Sequence, residues 1–118
     1  MGSSVDESLG AISISEEVIA ACVQNAVLHT KGVHSMTGGL TRNLLNKDPL
    51  HKGLKVNIAE EGVYVDVYVV VEYGVKIPEV AWDIQENVKA EIETLAKMDV
   101  LAVNIHVQGV HFNEETEG

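Results

Sequence analysis

The chain has 118 residues and a formal net charge of −10, with 46% hydrophobic and 4% aromatic residues. One domain with its own core fits this length, the hydrophobic content excludes general disorder, and the charge opposes binding to phosphate backbones. The single cysteine excludes a disulfide framework within one chain, and no apolar run approaches the ~20 residues of a membrane span, so we expect a soluble, intracellular protein.

The N-terminal part predicts a flexible segment, a short strand and a helix. Residues 1–9 are polar and predict flexibility, whereas residues 11–15 alternate in the manner of a strand. Ser15 is a favourable N-cap, two acidic residues follow it, and Gly32 is a typical helix stop. We therefore expect a helix over residues 15–31. Its apolar face comprises Val18, Ile19, Cys22, Val23, Ala26 and Val27.

The middle of the chain predicts a loop followed by an antiparallel hairpin. Residues 33–36 favour a short extended piece, and residues 37–52 favour a long loop. Residues 54–59 and 63–73 both alternate, and the Glu-Glu-Gly triplet between them predicts a tight turn. The longer run places Val63, Val65, Val67, Val69 and Val71 on one side and Tyr64, Asp66, Tyr68, Val70 and Glu72 on the other.

The C-terminal part predicts a second helix, a last strand and a tail. Pro78 fits the first turn of a helix that follows Gly74. The apolar face of this helix comprises Ile77, Ala81, Ile84, Val88, Ile92 and Leu95. Residues 103–110 predict the strand, whose inward set is Val103, Ile105 and Val107. Residues 113–118 predict an acidic, disordered tail, which leaves one domain over residues 10–112.

Each predicted helix and strand has one apolar face, and the simplest arrangement buries all of these faces together. We therefore predict an α+β fold, a two-layer sandwich in which two helices pack on one face of a mixed, mostly antiparallel sheet. The other face of the sheet is left to water or to a partner.

Four sequence blocks follow one another along residues 10–110. They read GAISISEEVI at 10–19, GV at 32–33, VEYGVKIPEV at 71–80 continuing as IQENV at 84–88, and VNIHVQGV at 103–110. On these blocks the chain resembles the alkaline shock protein family, small bacterial proteins tied to cell-envelope stress. Trp82 departs from the pattern, because relatives often carry a basic residue there.

The resemblance implies a non-enzymatic protein with no cofactor and no known catalytic residues. It also implies an abundant protein in the cytoplasm of Gram-positive bacteria. Some relatives are held near the membrane by a small integral membrane partner. On this basis we expect a cytoplasmic protein that reaches the inner face of the membrane through such an anchor.

The basic residues are concentrated in one segment. Residues 31–55 contain five lysines or arginines against one acidic residue, whereas the rest of the chain contains three against 17. This pattern indicates a positive loop on a negative body. Arg42, Lys47 and Lys52 are therefore candidate contacts for an acidic partner, a second copy of the chain or anionic lipid. A solvated loop that happens to collect lysines explains the pattern equally well.

Aromatic side chains supply the other candidate contacts. Trp82 is the only tryptophan, and helical spacing places it outside the apolar face of its helix, beside Glu86 and Lys89. It is either a partly covered edge residue or an interface anchor. Tyr64 and Tyr68 lie on the polar side of the predicted sheet, as ordinary filler or as interface residues.

The histidines and the cysteine predict no metal site and no catalytic site. His106 and His111 are five residues apart on one strand, so we expect them on opposite faces. His29 and His34 flank the end of the first helix and could approach each other, but no carboxylate or thiol stands at ligand spacing beside them. Cys22 lies in the apolar face of a helix and is expected to be buried and inert.

Two functions are compatible with these features. The leading hypothesis is a non-enzymatic scaffold or adaptor of the cell-envelope stress response. It would form homo-oligomers, dock on a membrane-anchored or metabolic protein, meet the membrane only through that partner and bind no nucleic acid. The alternative is a small RNA-binding domain, since two-layer α/β modules of this size often bind RNA. Three features oppose RNA binding: the net charge of −10, the lack of a GxxG loop and the lack of aromatic RNP-like strands.

Overall fold

A computed structural model describes residues 13–37 and 53–112 of the chain. The two helices are α1 (Glu16–Leu28) and α2 (Ile77–Ala96). The four strands are β1 (Val33–Met36), β2 (Leu54–Ala59), β3 (Gly62–Glu72) and β4 (Val100–His111). From the first helix onward, the element order agrees with the predicted order.

Several predicted features lie wholly or partly outside the described residues. The flexible segment 1–9, nearly all of the loop 37–52 and the tail 113–118 belong to this group. Of the predicted strand 11–15, residues 13–15 form no strand. Ser15 instead caps α1, because its side chain accepts a hydrogen bond from the Val18 backbone N–H at 3.3 Å.

The long strand β3 is the centre of the sheet. β1 and β2 both run antiparallel to it and occupy successive stretches of the same strand, at residues 69–71 and 62–67. β4 runs parallel to β3, and α2 is the connection between these two strands. The predicted hairpin of β2 and β3 and the mixed, mostly antiparallel character of the sheet are therefore confirmed.

The inner face of β3 forms the floor of the core. Its five predicted inward residues are all at most 1% exposed: Val63, Val65, Val67, Val69 and Val71. The helices contribute Ile19, Ala20, Val23, Ala26 and Val27 from α1 and Val80, Ile84, Val88 and Ile92 from α2 to the same cluster. Both helices thus pack on one face of the sheet, and the predicted two-layer α+β sandwich is confirmed.

The helix α1 is shorter than predicted, and its buried face is shifted. It ends at Leu28 with His29 as its C-cap, rather than near residue 31. Val18 is 52% exposed, and Ala20 takes the place that the predicted face gave to Val18. Gly32 lies beyond the helix, where its φ of +98° and the approach of Val80 exclude a side chain.

The buried face of α2 also differs from the prediction at both ends. Ile77 and Leu95 are 41% and 57% exposed, whereas Val80 is buried. The buried residues recur every four positions from Val80 to Ile92. Because four residues exceed one turn of 3.6, this row winds around the helix and leaves both predicted end residues outside the contact.

Two register shifts on β4 alter which side chains share a face. Val107 pairs with Val69 and Gly109 pairs with Val70, so one extra residue of β4 is inserted between these pairs. The insertion reverses the alternation, and the prediction that His106 and His111 lie on opposite faces is wrong. The predicted inward set is right for Val103 and Ile105, which pack against the core, but Val107 is 36% exposed.

Candidate functional site

The outer face of the sheet is the side opposite the helices. It carries the polar set of β3, whose members are all half-buried: Tyr64, Asp66, Tyr68, Val70 and Glu72. In residues 13–37 and 53–112, both helices pack on the inner face and none covers this one. The outer face therefore brings together several side chains that are able to contact a partner.

A polar network occupies the centre of this face. Asp66 Oδ1 accepts a hydrogen bond from Asn104 Nδ2 at 3.2 Å and lies 3.0 Å from His106 Nε2. The His106 ring stacks on Tyr68, with ring centroids 4.4 Å apart. Lys55 of β2 is the register partner of Asp66 on its other side. Tyr68 is thus held in a defined orientation, as an interface residue or a stacking platform requires.

Tyr64 lies nearer the turn between β2 and β3. Its hydroxyl donates a hydrogen bond to Glu61 Oε2 at 3.0 Å. This hydrogen bond, with smaller contributions from desolvation and from the negative charge of Glu61, raises the pKa of Tyr64 above its ordinary value. Tyr64 and Tyr68 both lie on the outer face, but they contact different residues. Tyr64 is hydrogen-bonded to Glu61, whereas Tyr68 stacks on His106.

Two histidines and a glutamate meet at one end of the outer face. The rings of His34 and His111 stack with centroids 3.7 Å apart and an angle of 2° between their planes. His111 Nδ1 lies 3.1 Å from Glu72 Oε1. The ring that stacks on His34 therefore belongs to β4 and not to His29, which the sequence had suggested as its neighbour. His29 Nδ1 instead lies 2.8 Å from the Asn25 carbonyl oxygen. The spacing of these residues along the chain did not reveal this cluster.

An exposed aromatic pair lies next to the histidines along the chain. Tyr73 and Phe112 stack with centroids 4.7 Å apart, and they are 68% and 56% exposed. The Tyr73 backbone N–H donates to the His111 carbonyl oxygen at 2.9 Å, which holds the ends of β3 and β4 together. The pair was not predicted from the sequence, because the two residues are 39 positions apart in the chain and no recognisable motif links them.

Trp82 lies on the outer side of α2, as predicted, with 61% of its surface exposed. Glu86 and Lys89 are exposed on the same helix. A shallow groove between α2 and β4 begins beside them, and Gln85 crosses it to donate a hydrogen bond to the Val103 carbonyl oxygen at 3.0 Å. The helix therefore presents one large apolar ring with charged groups beside it.

The remaining predicted site residues divide into two groups. Arg42, Lys47 and Lys52 lie outside the described residues, so their role stays a prediction. Cys22 is half-buried rather than fully buried. Burial, and secondarily the charge of Glu91, raise the pKa of its thiol. A raised thiol pKa lowers the fraction of reactive thiolate, in keeping with the predicted inertness.

The helices are also informative about the membrane. Within residues 13–37 and 53–112, neither α1 nor α2 combines the length and the apolar character that crossing a bilayer requires.

Solved structures share this fold at low sequence identity. A histidine-to-alanine variant and a glutamate-to-alanine variant of MamM-CTD both match with a TM-score of 0.50 and 14% identity. Each match covers 80% of this chain, together with 98% and 99% of the respective MamM-CTD chains. Likeness at this identity concerns the fold alone.

Curated relatives are similar along nearly the whole chain. The uncharacterized protein YqhY of Bacillus subtilis strain 168 is 33% identical over 115 residues, or 95% of this chain and 85% of YqhY. The uncharacterized protein Spy1535 of Streptococcus pyogenes serotype M6 is 38% identical over 105 residues, or 88% of this chain and 81% of Spy1535. A stress response regulator gls24 homolog of S. pyogenes serotype M3 is 27% identical over 112 residues, or 92% of this chain and 63% of that protein.

A family profile agrees with the sequence blocks. It describes the alkaline shock protein 23 family, with a cell envelope-related function, and it matches residues 4–112. The resemblance drawn from the sequence is confirmed: the chain belongs to the alkaline shock protein 23 family.

Proposed function

We propose that the protein is a non-enzymatic scaffold or adaptor of the cell-envelope stress response, which self-associates and docks on a membrane-anchored or metabolic protein. Its working place is the cytoplasm, and it reaches the inner face of the membrane through a small integral membrane anchor. The family and the relative named as a stress response regulator support the cellular context. The proposed binding to protein partners rests on one structural observation, the exposure of Trp82.

Trp82 is the largest side chain of the protein, and 61% of it faces solvent. Exposing an aromatic ring forfeits burial free energy of about 1.5–3 kcal/mol that the fold could otherwise gain. Tryptophan is enriched among the anchor residues of protein interfaces, where a polar rim excludes water around it. Glu86 and Lys89 stand at helical spacing from Trp82 and supply such a rim. We assign Trp82 to a protein contact.

The histidine and cysteine chemistry of the described residues supports a non-enzymatic role. His106 is hydrogen-bonded to Asp66 and stacked on Tyr68, and no serine or cysteine in the part of the chain that the structure describes hydrogen-bonds to it. A histidine that activates a nucleophile requires such a neighbour. Cys22, with its raised pKa, is the opposite of an activated thiol.

The stack of Tyr68 on His106 favours the alternative, an RNA-binding domain. It lies on an uncovered sheet face, where RNA-binding modules stack bases on aromatic side chains. Against it, Asp66 and Glu72 place carboxylates on the same face, and the chain as a whole carries a charge of −10. Both features repel phosphates, and we therefore favour a protein partner.

The contact at Trp82 is tested by Trp82→Ala. Because the ring lies outside the core, we expect a melting temperature within about 2 °C of the parent and a weaker self-association or partner binding. Light scattering at increasing protein concentration measures self-association, and affinity capture with the family's membrane anchor measures partner binding. In the parent protein, the fluorescence of this single tryptophan should be red-shifted when dilute and blue-shifted on assembly.

Leu95→Ala is the matched control, since Leu95 is an exposed apolar residue at 57% on the same helix. It should leave association unchanged. If Trp82→Ala lowers the melting temperature by many degrees, Trp82 is a core residue and the proposal fails. If labelled single-stranded RNA instead binds at low salt and Tyr68→Ala abolishes this binding, the RNA-binding alternative replaces it.

A further inference from the structure

Three side chains from three strands converge at one end of the outer face. We propose that His34, Glu72 and His111 form a binding site for a divalent transition-metal ion of the zinc class. This site lies apart from the protein contact at Trp82, and neither proposal depends on the other.

The distances between the ligand atoms carry the proposal. One nitrogen of each histidine and one oxygen of Glu72 all lie within 4.8 Å of one another. Zinc bonds to nitrogen and oxygen are about 2.0–2.2 Å long, which places neighbouring ligand atoms of a tetrahedral site ~3.4 Å apart. His111 Nδ1 and Glu72 Oε1 are already 3.1 Å apart. Closing the site also requires the His34 and His111 rings to rotate out of their 3.7 Å stack, because each ring nitrogen donates in the plane of its own ring and parallel rings cannot both point at one ion.

The backbone fixes the positions from which these side chains start. His34 is the extra residue of a register shift between Val33 and Ser35 on β1. The shift on β4 places His111 opposite Glu72 on the same face. Both flanking strands thus direct an imidazole over the central strand from opposite sides, and the paired backbone holds the three anchor points together without a metal.

The ligand types select the class of metal. Two imidazoles and a carboxylate suit zinc, cobalt, nickel and copper, whereas magnesium and calcium prefer oxygen ligands alone. Three protein ligands leave at least one coordination position open to water or to a group of a partner. The side chains of Glu72 and His111 are each 45% exposed, so an ion can enter and leave without local unfolding.

The net charge of the whole chain also favours a cation. The formal charge of the chain is −10 when its histidines are neutral, so the molecule as a whole attracts cations. A bound divalent ion would bond directly to the Glu72 carboxylate and would hold both imidazoles in their neutral, ligating form.

The test is calorimetric titration of the full chain, prepared without a histidine tag, with zinc chloride. We expect one ion per chain. His34→Ala and His111→Ala should each weaken binding about tenfold or more, since even the loss of an outer-shell partner typically costs 10–100-fold. Glu72→Gln should weaken it as well. Circular dichroism should show that each variant keeps the fold of the parent.

His106→Ala is the matched control. His106 lies on the same strand and face as His111. Its Nε2 lies 3.0 Å from a carboxylate oxygen of Asp66, just as His111 Nδ1 lies 3.1 Å from one of Glu72. The His106→Ala variant should change the affinity less than about twofold, because a pair without a third ligand does not form the site. NMR supplies a second readout, in which zinc should shift the ring signals of His34 and His111 and spare those of His106.

The proposal is overturned if zinc does not bind, or if binding is indifferent to His34→Ala and His111→Ala. It is equally overturned if His106→Ala weakens binding as much as they do. Any of these three results would mean that the cluster is an ordinary surface pair of histidine and glutamate, with a second histidine stacked on it.

Discussion

At the scale of single residues, Gly62 holds the start of β3 close to the residues that lead into β4. Its φ is +152°, and a Cβ at this position would lie 2.6 Å from the Asp99 carbonyl oxygen. The same oxygen accepts a hydrogen bond from the Val63 backbone N–H at 2.8 Å. The contact is with the backbone, which cannot rotate away as a side chain can, so only glycine fits.

Gly62→Ala should therefore be strongly destabilising. Gly74→Ala is its control, because Gly74 also has a positive φ, +94°, but no atom lies within 4 Å of the position of its Cβ. Backbone strain alone costs about 1–2 kcal/mol, and the clash at Gly62 adds to it. Urea unfolding should show a clearly larger loss for Gly62→Ala, and equal losses would mean that the clash relaxes freely.

At the scale of elements, a polar tie joins the end of α1 to α2. Thr30 is 4% exposed, and its hydroxyl donates to the Ala26 carbonyl oxygen at 2.9 Å. The same hydroxyl accepts a hydrogen bond from Asn87 Nδ2 at 2.9 Å. Along with apolar packing, this arrangement fixes how the two helices are placed relative to each other, because hydrogen bonds are directional.

Thr30→Val keeps the shape of the side chain and removes both hydrogen bonds. We expect a loss of about 1–3 kcal/mol in the free energy of unfolding, the usual result of leaving buried polar groups without partners. Asn104→Ala is the control, since its hydrogen bond to Asp66 is exposed and should contribute little. In a double-mutant cycle, Thr30→Val and Asn87→Ala should be less than additive; strict additivity would contradict the tie.

At the scale of the whole molecule, charge is divided unevenly along the chain. Residues 31–55 carry five basic residues and one acidic residue, against three and 17 elsewhere. If the basic segment of one copy meets the acidic body of the next, the contact is head-to-tail and can propagate. Exposed ion pairs are screened with a Debye length of about 10 Å at 0.1 M salt.

Assemblies held in this way should shrink as salt is raised from about 0.05 to 0.5 M. Replacing Arg42, Lys47 and Lys52 together by glutamate should shrink them at low salt, whereas Lys76→Glu with Lys97→Glu, outside the segment, should not. Sedimentation velocity measures the sizes. Assemblies that are indifferent to both salt and charge reversal would contradict the electrostatic contact.

From α1 onward, the sequence alone determined the order of the elements and the two layers. The alternation of β3 from Val63 to Val71 and the turn before it are local, and local side-chain patterning is enough to specify a hairpin and its buried side. The exposure of Trp82 followed from helical spacing in the same way. These predictions succeeded because each depends on neighbours only a few residues away.

Tertiary structure decided the features that depend on pairing between distant strands. The bulges beside β3, which bring His34 and His111 to Glu72, follow from how the strands match in register. One inserted residue reverses the side to which every later side chain points. The local alternation of side chains does not reveal where such a residue is inserted. The histidine cluster and the stacked pair of Tyr73 and Phe112 could therefore be recognised only in the assembled sheet.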